Sequence, residues 1–378
     1  MPLPVTIGAA SARGLGWARI YSAGAAAGGL WTWGKNQFGQ LGDGTTIDRS
    51  SPVQVGALTT WSQVSAGQAS CAAIKNDGTL WTWGRNSNGQ LGLGNQTYYS
   101  SPKQVGALTN WLQVSVGEYA CAAIKTDGTL WTWGEAREGV LGLGNLNYYS
   151  SPKQVGALTN WSKVSMGRNF CAAIKTDGTL WTWGRNNYGM LGLGDTTSRS
   201  SPTQVGALTT WSQADASPYP GWTIAVKTDG TLWTWGRNSR GQLGLGNTTS
   251  YSSPKQVGAL TNWLLPKAGS YNAVVVKTDG TLWTWGWNYF GQLGLGNTTN
   301  YSSPKQVGAL TTWSQPDGGS NWAAAIRTDG TLWTWGQGQY GRLGLGDTNI
   351  RYSPTQVGAL TTWLQVTTGT FHGAATRS

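Results

Sequence analysis

Chemistry at neutral pH needs side chains that titrate or attack there, and this sequence supplies few. It has a single histidine, His372, and its only glutamates are Glu118, Glu135 and Glu138. One histidine cannot build a histidine-based metal cluster, and any Cys-His or Ser-His-Asp arrangement would have to use His372. The three cysteines, Cys71, Cys121 and Cys171, share one repeat position where other copies place Thr223, Ala273, Ala323 and Gly373. A small buried packing site accounts for them, since metal ligation or a disulfide framework needs complementary spacing that is absent. Asp77, Asp127, Asp177, Asp229, Asp279 and Asp329 each precede a glycine, so turn geometry is reason enough for them. Glu135 and Glu138 read as a solvated loop pair. The Leu-Gly-Leu-Gly runs do not open a helix and are not phosphate loops. No catalytic residue, metal ligand or cofactor is expected, and the candidate chemistry is that of binding.

Composition points the same way. Gly is 57 of 378 residues and Trp 25, while charged residues are only 11%, a β-rich and turn-rich mixture with ample aromatic core. The net charge of +11 suggests phosphate binding, but the charge is distributed rather than gathered. Lys75, Lys125, Lys175, Lys227, Lys277, Arg327 and Arg377 fall one per repeat, and Lys103, Lys153, Lys255 and Lys305 share another position. They read as solvated decoration around a ring, without specific nucleic-acid binding. No apolar stretch is long enough for a membrane span, and the N-terminus lacks a secretory pattern. Residues 1–29, rich in Ala, Gly and Ser, have a composition shared by transit peptides and ordered anchoring arms.

The elements that must position any binding residue come from repetition. Leu-Trp-Thr-Trp-Gly begins at Leu30, Leu80, Leu130, Leu180, Leu232, Leu282 and Leu332, and a second marker ends at Trp61, Trp111, Trp161, Trp211, Trp263, Trp313 and Trp363. Seven copies of each mean seven units of one supersecondary element. Within a unit, strand a follows the marker Trp (Ser62–Ser65), strand b is Cys71–Lys75, strand c is Thr79–Trp83, and strand d lies near Pro102–Val105. Asp77-Gly78 between b and c is expected to form a two-residue type I′ hairpin turn. Each unit is then a four-stranded antiparallel sheet whose Trp face needs a neighbour to cover it. The fold class is all-β: a seven-bladed propeller.

The run Asp-Gly-Thr-Leu-Trp-Thr-Trp-Gly-Arg-Asn-Ser-Asn-Gly-Gln-Leu-Gly at residues 77–92, followed by Pro102 and Val105, resembles the repeat of the regulator of chromosome condensation family. That resemblance covers residues 30–378 and implies seven blades. Family members often carry a His a few residues after the Gly that closes strand a, and only His372, after Gly369, fits. Near-identical Trp-rich repeats are similar to phage- and bacterium-encoded members.

Because the first clear strand is c, at Leu30, and residues 363–378 repeat the a and b pattern, the first blade should be assembled from both termini. Repeats begin near 61, 111, 161, 211, 263 and 313, with residues 30–60 and 363–378 making the first blade and residues 1–29 left as an arm. Differences among the copies concentrate between strands a and b, just after strand c, and at the start of the long connection to d. Antiparallel order places all three at one end of every blade, leaving the opposite face nearly seven-fold symmetric. Trp222, Trp287 and Trp322 lie in these variable segments outside the framework, as do Phe38, Phe170, Phe290 and Phe371. Large rings on a rigid scaffold dominate interface energetics. The expected ligand-binding set is therefore Trp222, Trp287, Trp322, Phe38, Phe170, Tyr188, Tyr219, Tyr271, Phe290, Tyr340, Phe371 and His372; packing of the same rings against neighbouring blades is the competing reading.

The leading expectation is a non-enzymatic recognition module that holds a protein or a cell-surface glycan on the variable face. The resemblance to phage and bacterial members implies a virion-attached receptor-binding or decoration protein, anchored through residues 1–29; otherwise the protein would be cytoplasmic. The resemblance also implies an alternative, nucleotide exchange on a small GTPase. Relatives of that kind use an inserted wedge, whereas the only insertion here is two residues within Ser217–Gly221.

Overall fold

A computed structural model describes residues 27–219 and 221–378. Twenty-eight strands form seven four-stranded antiparallel sheets arranged in a ring. Blade 2 runs Trp61–Ala66 (a), Ser70–Lys75 (b), Leu80–Gly84 (c) and Tyr99–Gln104 (d). Blades 3 to 7 repeat this order, with their a strands starting at Trp111, Trp161, Trp211, Trp263 and Trp313. Blade 1 joins the ends of the chain: Trp363–Thr368 and His372–Arg377 supply a and b, and Gly29–Gly34 and Arg49–Gln54 supply c and d. Its seam is six residue pairs long, from Gly29 opposite Arg377 to Gly34 opposite His372. Gly28 already bridges to Trp61, so the ring starts slightly before Leu30. The arm expected over residues 1–29 otherwise lies outside the described residues.

The repeat motif is explained by what holds one blade to the next. The second Trp of each strand c is buried and donates its indole N–H to a carbonyl of the preceding blade, as from Trp133 to Gln90 at 2.9 Å. The same bond recurs from Trp83 to Gln40 at 2.9 Å and, between blades 1 and 7, from Trp33 to Arg342 at 2.8 Å. Gly92 packs against the Trp133 indole with φ +72°, and a Cβ there would lie 2.8 Å from the indole nitrogen. A side chain at that position would separate the blades. Inside a blade, the marker Trp meets both strand-c rings edge-on, as Trp111 meets Trp131 at 6.2 Å and Trp133 at 6.3 Å. Those two strand-c rings do share one face of the sheet, as alternation requires.

The b-to-c turn differs from the expected type I′. Gly78 takes φ +75°, but no Asp at this position has positive φ. Lys75 N–H bonds to the Thr79 carbonyl and Gly78 N–H to that of Lys75, closing a three-residue loop of the kind that combines a type I turn with a left-handed glycine. Asp77 accepts from the Thr79 N–H (2.9 Å) and hydroxyl (2.6 Å), and the Thr79 hydroxyl accepts from Trp81 (2.9 Å). This relay recurs in six blades and holds the aspartates below the usual carboxylate range, chiefly through the threonine hydroxyl at Asp77.

Of the two rows of basic residues read as solvated decoration, Lys103, Lys153, Lys255 and Lys305 are exposed, but the row at the end of strand b is corrected by the same register. Lys75 Nζ lies 3.8 Å from the Trp81 ring centroid, and Lys125, Lys175 and Lys277 are buried on equivalent rings. A cation over an indole face is attracted by the ring quadrupole, so these lysines belong to the frame.

Candidate recognition face

The a-to-b and c-to-d connections meet at one end of the ring. Tyr219 and Tyr271 of neighbouring a-to-b loops touch (centroids 5.9 Å), and Tyr271 touches Trp287 of a c-to-d loop (5.6 Å). At the other end the b-to-c turns contact the d-to-a connections, as Asn76 N–H bonds to Thr60. The variation does therefore gather on one face.

Part of the expected binding set does not reach that face's surface. Trp222, Trp322, Phe170 and His372 are at most 1% exposed. They occupy the first residue of strand b, with Ser70, Ala120 and Asn272 at the same position. That position points into the crevice between blades, where the next a-to-b loop seals it. Trp222 donates to the carbonyls of Gly269 (3.1 Å) and Ser270 (3.2 Å), and Trp322 to Gly369 (3.0 Å). These side chains are inter-blade locks rather than exposed anchors.

His372 lies 3.0 Å from Cys71 across the interface between blades 1 and 2. Burial pulls the imidazole down to about 3 and pushes the thiol up. The pair is therefore neutral on both sides at physiological pH, with neither thiolate nor imidazolium for nucleophilic work. The other two thiols are buried as well, in accord with a small packing site.

The remaining expected residues do face outward. Tyr188 and Tyr219 are exposed, while Phe38, Tyr271, Trp287, Phe290, Tyr340 and Phe371 are half-buried. In blades 5 and 6 they form one ribbon. It runs from Tyr219 through Tyr271 to Trp287, then to Phe290 (5.7 Å) and Tyr289, which stacks on Trp287 at 6.1 Å. Tyr289, at 66% exposure the most exposed aromatic here, was not in the expected set. It was findable, because the recurring Asn288 turns inward to hold the loop, accepting from Leu293 N–H at 2.9 Å, which puts the next residue on the tip. A second exposed series, Ile47, Tyr98, Leu146, Tyr148, Ile350 and Tyr352, occupies the outer rim of blades 7, 1, 2 and 3. Blades 4 to 6 carry Thr, Ser and Asn in the matching connections.

The glutamates also differ from a solvated pair. Glu135 is buried, accepts from Asn88 (2.9 Å) and pairs with Arg137 (2.9 Å), while Glu138 pairs with Arg185 (3.5 Å). Burial raises Glu118 above the ordinary carboxylate value despite Arg168 at 2.7 Å.

Sequence reasoning missed the central channel. The fifth residue of successive a strands is Ser65, Ser115, Ser165, Asp215, Lys267, Asp317 and Thr367. Six of these accept the N–H of the following residue position in the next blade: Ser65 from Val116 (3.0 Å), Asp215 from Ala268 (2.8 Å), Asp317 from Thr368 (2.6 Å), and so round to Thr367 from Ala66 (3.2 Å). Lys267 cannot accept; it lies 3.9 Å from Asp215 and 3.5 Å from Asp317. The result is a polar girdle, lining a cavity of about 100 Å³ at the channel mouth. Burial raises Asp215 above its ordinary value. Among the described residues no group of His, Cys, Asp or Glu could hold a metal ion.

Known proteins with this architecture resemble the chain along its whole described length. Human WBSCR16 superposes with a TM-score of 0.84 at 22% identity, covering 93% of this chain and 99% of that one. Prp20p of Saccharomyces cerevisiae, studied for its binding to Gsp1p and histones, gives 0.85 at 18% identity, covering 95% and 93%. At these identities the likeness shows the fold. Sequence matches to curated proteins are short: 42% identity over 40 residues to protein RCC2 of Mus musculus, 11% of this chain and 8% of that protein, and 40% over 45 residues to the RCC2 homolog of Danio rerio, 9% of its length. The family description "Regulator of chromosome condensation (RCC1) repeat" matches residues 27–74, 77–124, 127–174, 177–218, 229–276, 279–326 and 329–376. Seven matched repeats, one for each interval between blades, establish that this chain belongs to the regulator of chromosome condensation repeat family.

Proposed function

We propose that this propeller is a recognition scaffold that holds a protein partner on its variable face and performs no chemistry of its own. The ribbon of Tyr219, Tyr271, Trp287, Phe290 and Tyr289 carries the reading. Blade packing does not require Trp287 or Tyr289, since every other blade has a polar or charged residue at those two positions, and aromatic anchors on a rigid base bring contact area at low entropic cost. A glycan would need an open ring face to stack on. Most rings in the ribbon meet edge to face, between 72° and 90°, which suits protein side chains better.

Binding of Gsp1p and histones by Prp20p supports a protein partner in general. The exchange-factor alternative gains little from the insertion, because Tyr219 on it joins the ribbon instead of forming a separate wedge. Virion attachment through residues 1–29 rests almost wholly on residues outside the described ones. The reading is tested by immobilising wild type, Trp287→Ala, Tyr289→Ala and Asp127→Asn and exposing each to extract from the source cells. A polypeptide retained by wild type and Asp127→Asn but lost by both ribbon variants supports it. Identical retention by all four proteins contradicts it.

A further inference from the structure

The acids and cations of the variable face are unequally matched. Asp43, Glu118, Glu135, Glu138, Asp195 and Asp347 each lie within 3.5 Å of an arginine. Beside the ribbon the balance reverses. Arg237 lies 4.7 Å over the Tyr188 ring and Arg240 5.7 Å over Trp287, and among the described residues neither has a carboxylate partner. Arg240 is exposed and Arg237 half-exposed, so both guanidinium groups are reachable from solvent. Arg237 Nε donates to the Ser239 hydroxyl at 3.2 Å, which leaves its two terminal nitrogens as donors for a carboxylate, and bidentate pairing there is stronger than a neutral hydrogen bond.

Resting on the recognition reading above, we infer that the face over blades 5 and 6 takes an acidic polypeptide. Its carboxylates pair with Arg237 and Arg240, while aromatic or aliphatic side chains between them cover Tyr289 and Tyr219. A single-stranded nucleic acid would share the anionic charge, but it binds by stacking bases on free ring faces. The ribbon rings meet mainly edge to face instead of lying as a row of parallel platforms, and the repeat lysines that could track a phosphate backbone lie on the opposite side over indoles.

The probes are a random glutamate–tyrosine copolymer, poly-glutamate and poly(dT), titrated against the full chain at low and moderate salt. The copolymer should bind more tightly than poly-glutamate and poly(dT), and weaken as salt rises. Replacing both arginines, Arg237→Gln with Arg240→Gln, should weaken copolymer binding about tenfold or more with unchanged melting, because the complex loses two charge-assisted pairs while the exposed side chains support little of the fold. The charge-matched control Lys103→Gln with Lys153→Gln removes two cations elsewhere and should change it less than twofold. Equal loss in the two double variants, or poly(dT) binding as tightly as the copolymer, would overturn the inference. If a captured partner is lost on Tyr289→Ala yet is indifferent to the arginine pair, the recognition reading stands and the acidic assignment fails; indifference to both variants defeats the two together.

Discussion

The two faces of this ring are made from the same repeat and use it in opposite ways. On the symmetric face the turn contacts close within one repeat: Asp77 with Thr79, Thr79 with Trp81, and Lys75 over the face of Trp81. On the variable face the contacts are particular to one or two blades: Tyr219 to Tyr271 and Arg168 over Tyr219 at 4.9 Å cross from blade to blade, while Tyr271 to Trp287 and Trp287 to Tyr289 stay inside blade 6. A contact closed inside the repeat can be copied seven times without regard to neighbours. A contact across blades is copied too when it ends on a backbone carbonyl, as Trp133 does on Gln90, whereas one between two variable side chains depends on which residues meet and can differ at each step. Stability is therefore repeated and recognition is not. The sequence position of a residue within a variable segment does not decide which role it has, as Trp222 shows.

The largest effect should come from the closing seam. Removing residues 363–378 leaves blade 1 with two strands and exposes the edge that pairs Gly29–Gly34 with His372–Arg377. Unpaired edges recruit other chains, so size-exclusion chromatography should show aggregates and no folded monomer. A monomer with unchanged melting would mean that the ring does not need its seam.

Next comes Trp222, which lies in a variable segment but is buried like the frame. Trp222→Ala should cost roughly 3–5 kcal/mol by chemical denaturation, the usual loss for a large buried ring. Trp222→Phe, which keeps most of the volume and gives up the N–H bonds to Gly269 and Ser270, should cost roughly 1 kcal/mol. A loss of binding without loss of stability would return Trp222 to the recognition set.

Acid should separate the two regions by pH window. His372 is held at about 3 against an ordinary 6.5, so the unfolded chain takes the proton first and stability declines as pH falls from 6.5 towards 3. His372→Asn, the residue blade 6 uses at this position, should remove that slope. The turn aspartates are held below their ordinary 3.8, so their contribution is present above that value and is lost only as pH falls further through their folded values. Asp127→Ala should cost roughly 1 kcal/mol at neutral pH, a typical net hydrogen-bond contribution, and should reduce the loss below 3.8. Denaturant titrations across pH 2 to 7 would show whether the windows separate.

Much of this was legible in the sequence, for identifiable reasons. Seven copies of two markers, with turn residues between them, were enough for the strands, the blade number and the closure, because strand parity and chain ends leave few alternatives. What was not legible hinged on single-residue offsets. In the a-to-b loops, Tyr271 is half-exposed and the next residue, Asn272, is buried; at the matching step Asn321 is half-exposed and Trp322 buried. Size and aromaticity favoured Trp322 as an anchor, but the direction of the first strand-b residue decided otherwise. The Lys–Trp pairs depend on cross-strand register, and Asp-Gly is compatible with more than one turn. The channel trio of Asp215, Lys267 and Asp317 lies four residues on from its marker Trp, inside a framework strand where the other copies carry Ser or Thr, so variation among the loops gives no sign of it.

The smallest expected effect on stability belongs to the residue with the largest expected effect on binding. Tyr289→Ala should leave melting unchanged within about 0.5 kcal/mol, as exposed positions usually do, while weakening partner binding by roughly 2 kcal/mol or more. Asp127→Ala on the opposite face should do the reverse, lowering stability and leaving affinity alone. Measuring melting and affinity for these two variants against one captured partner therefore tests the division of labour most directly. The account predicts that each variant moves one quantity only; an affinity that follows Asp127 and ignores Tyr289 would contradict it.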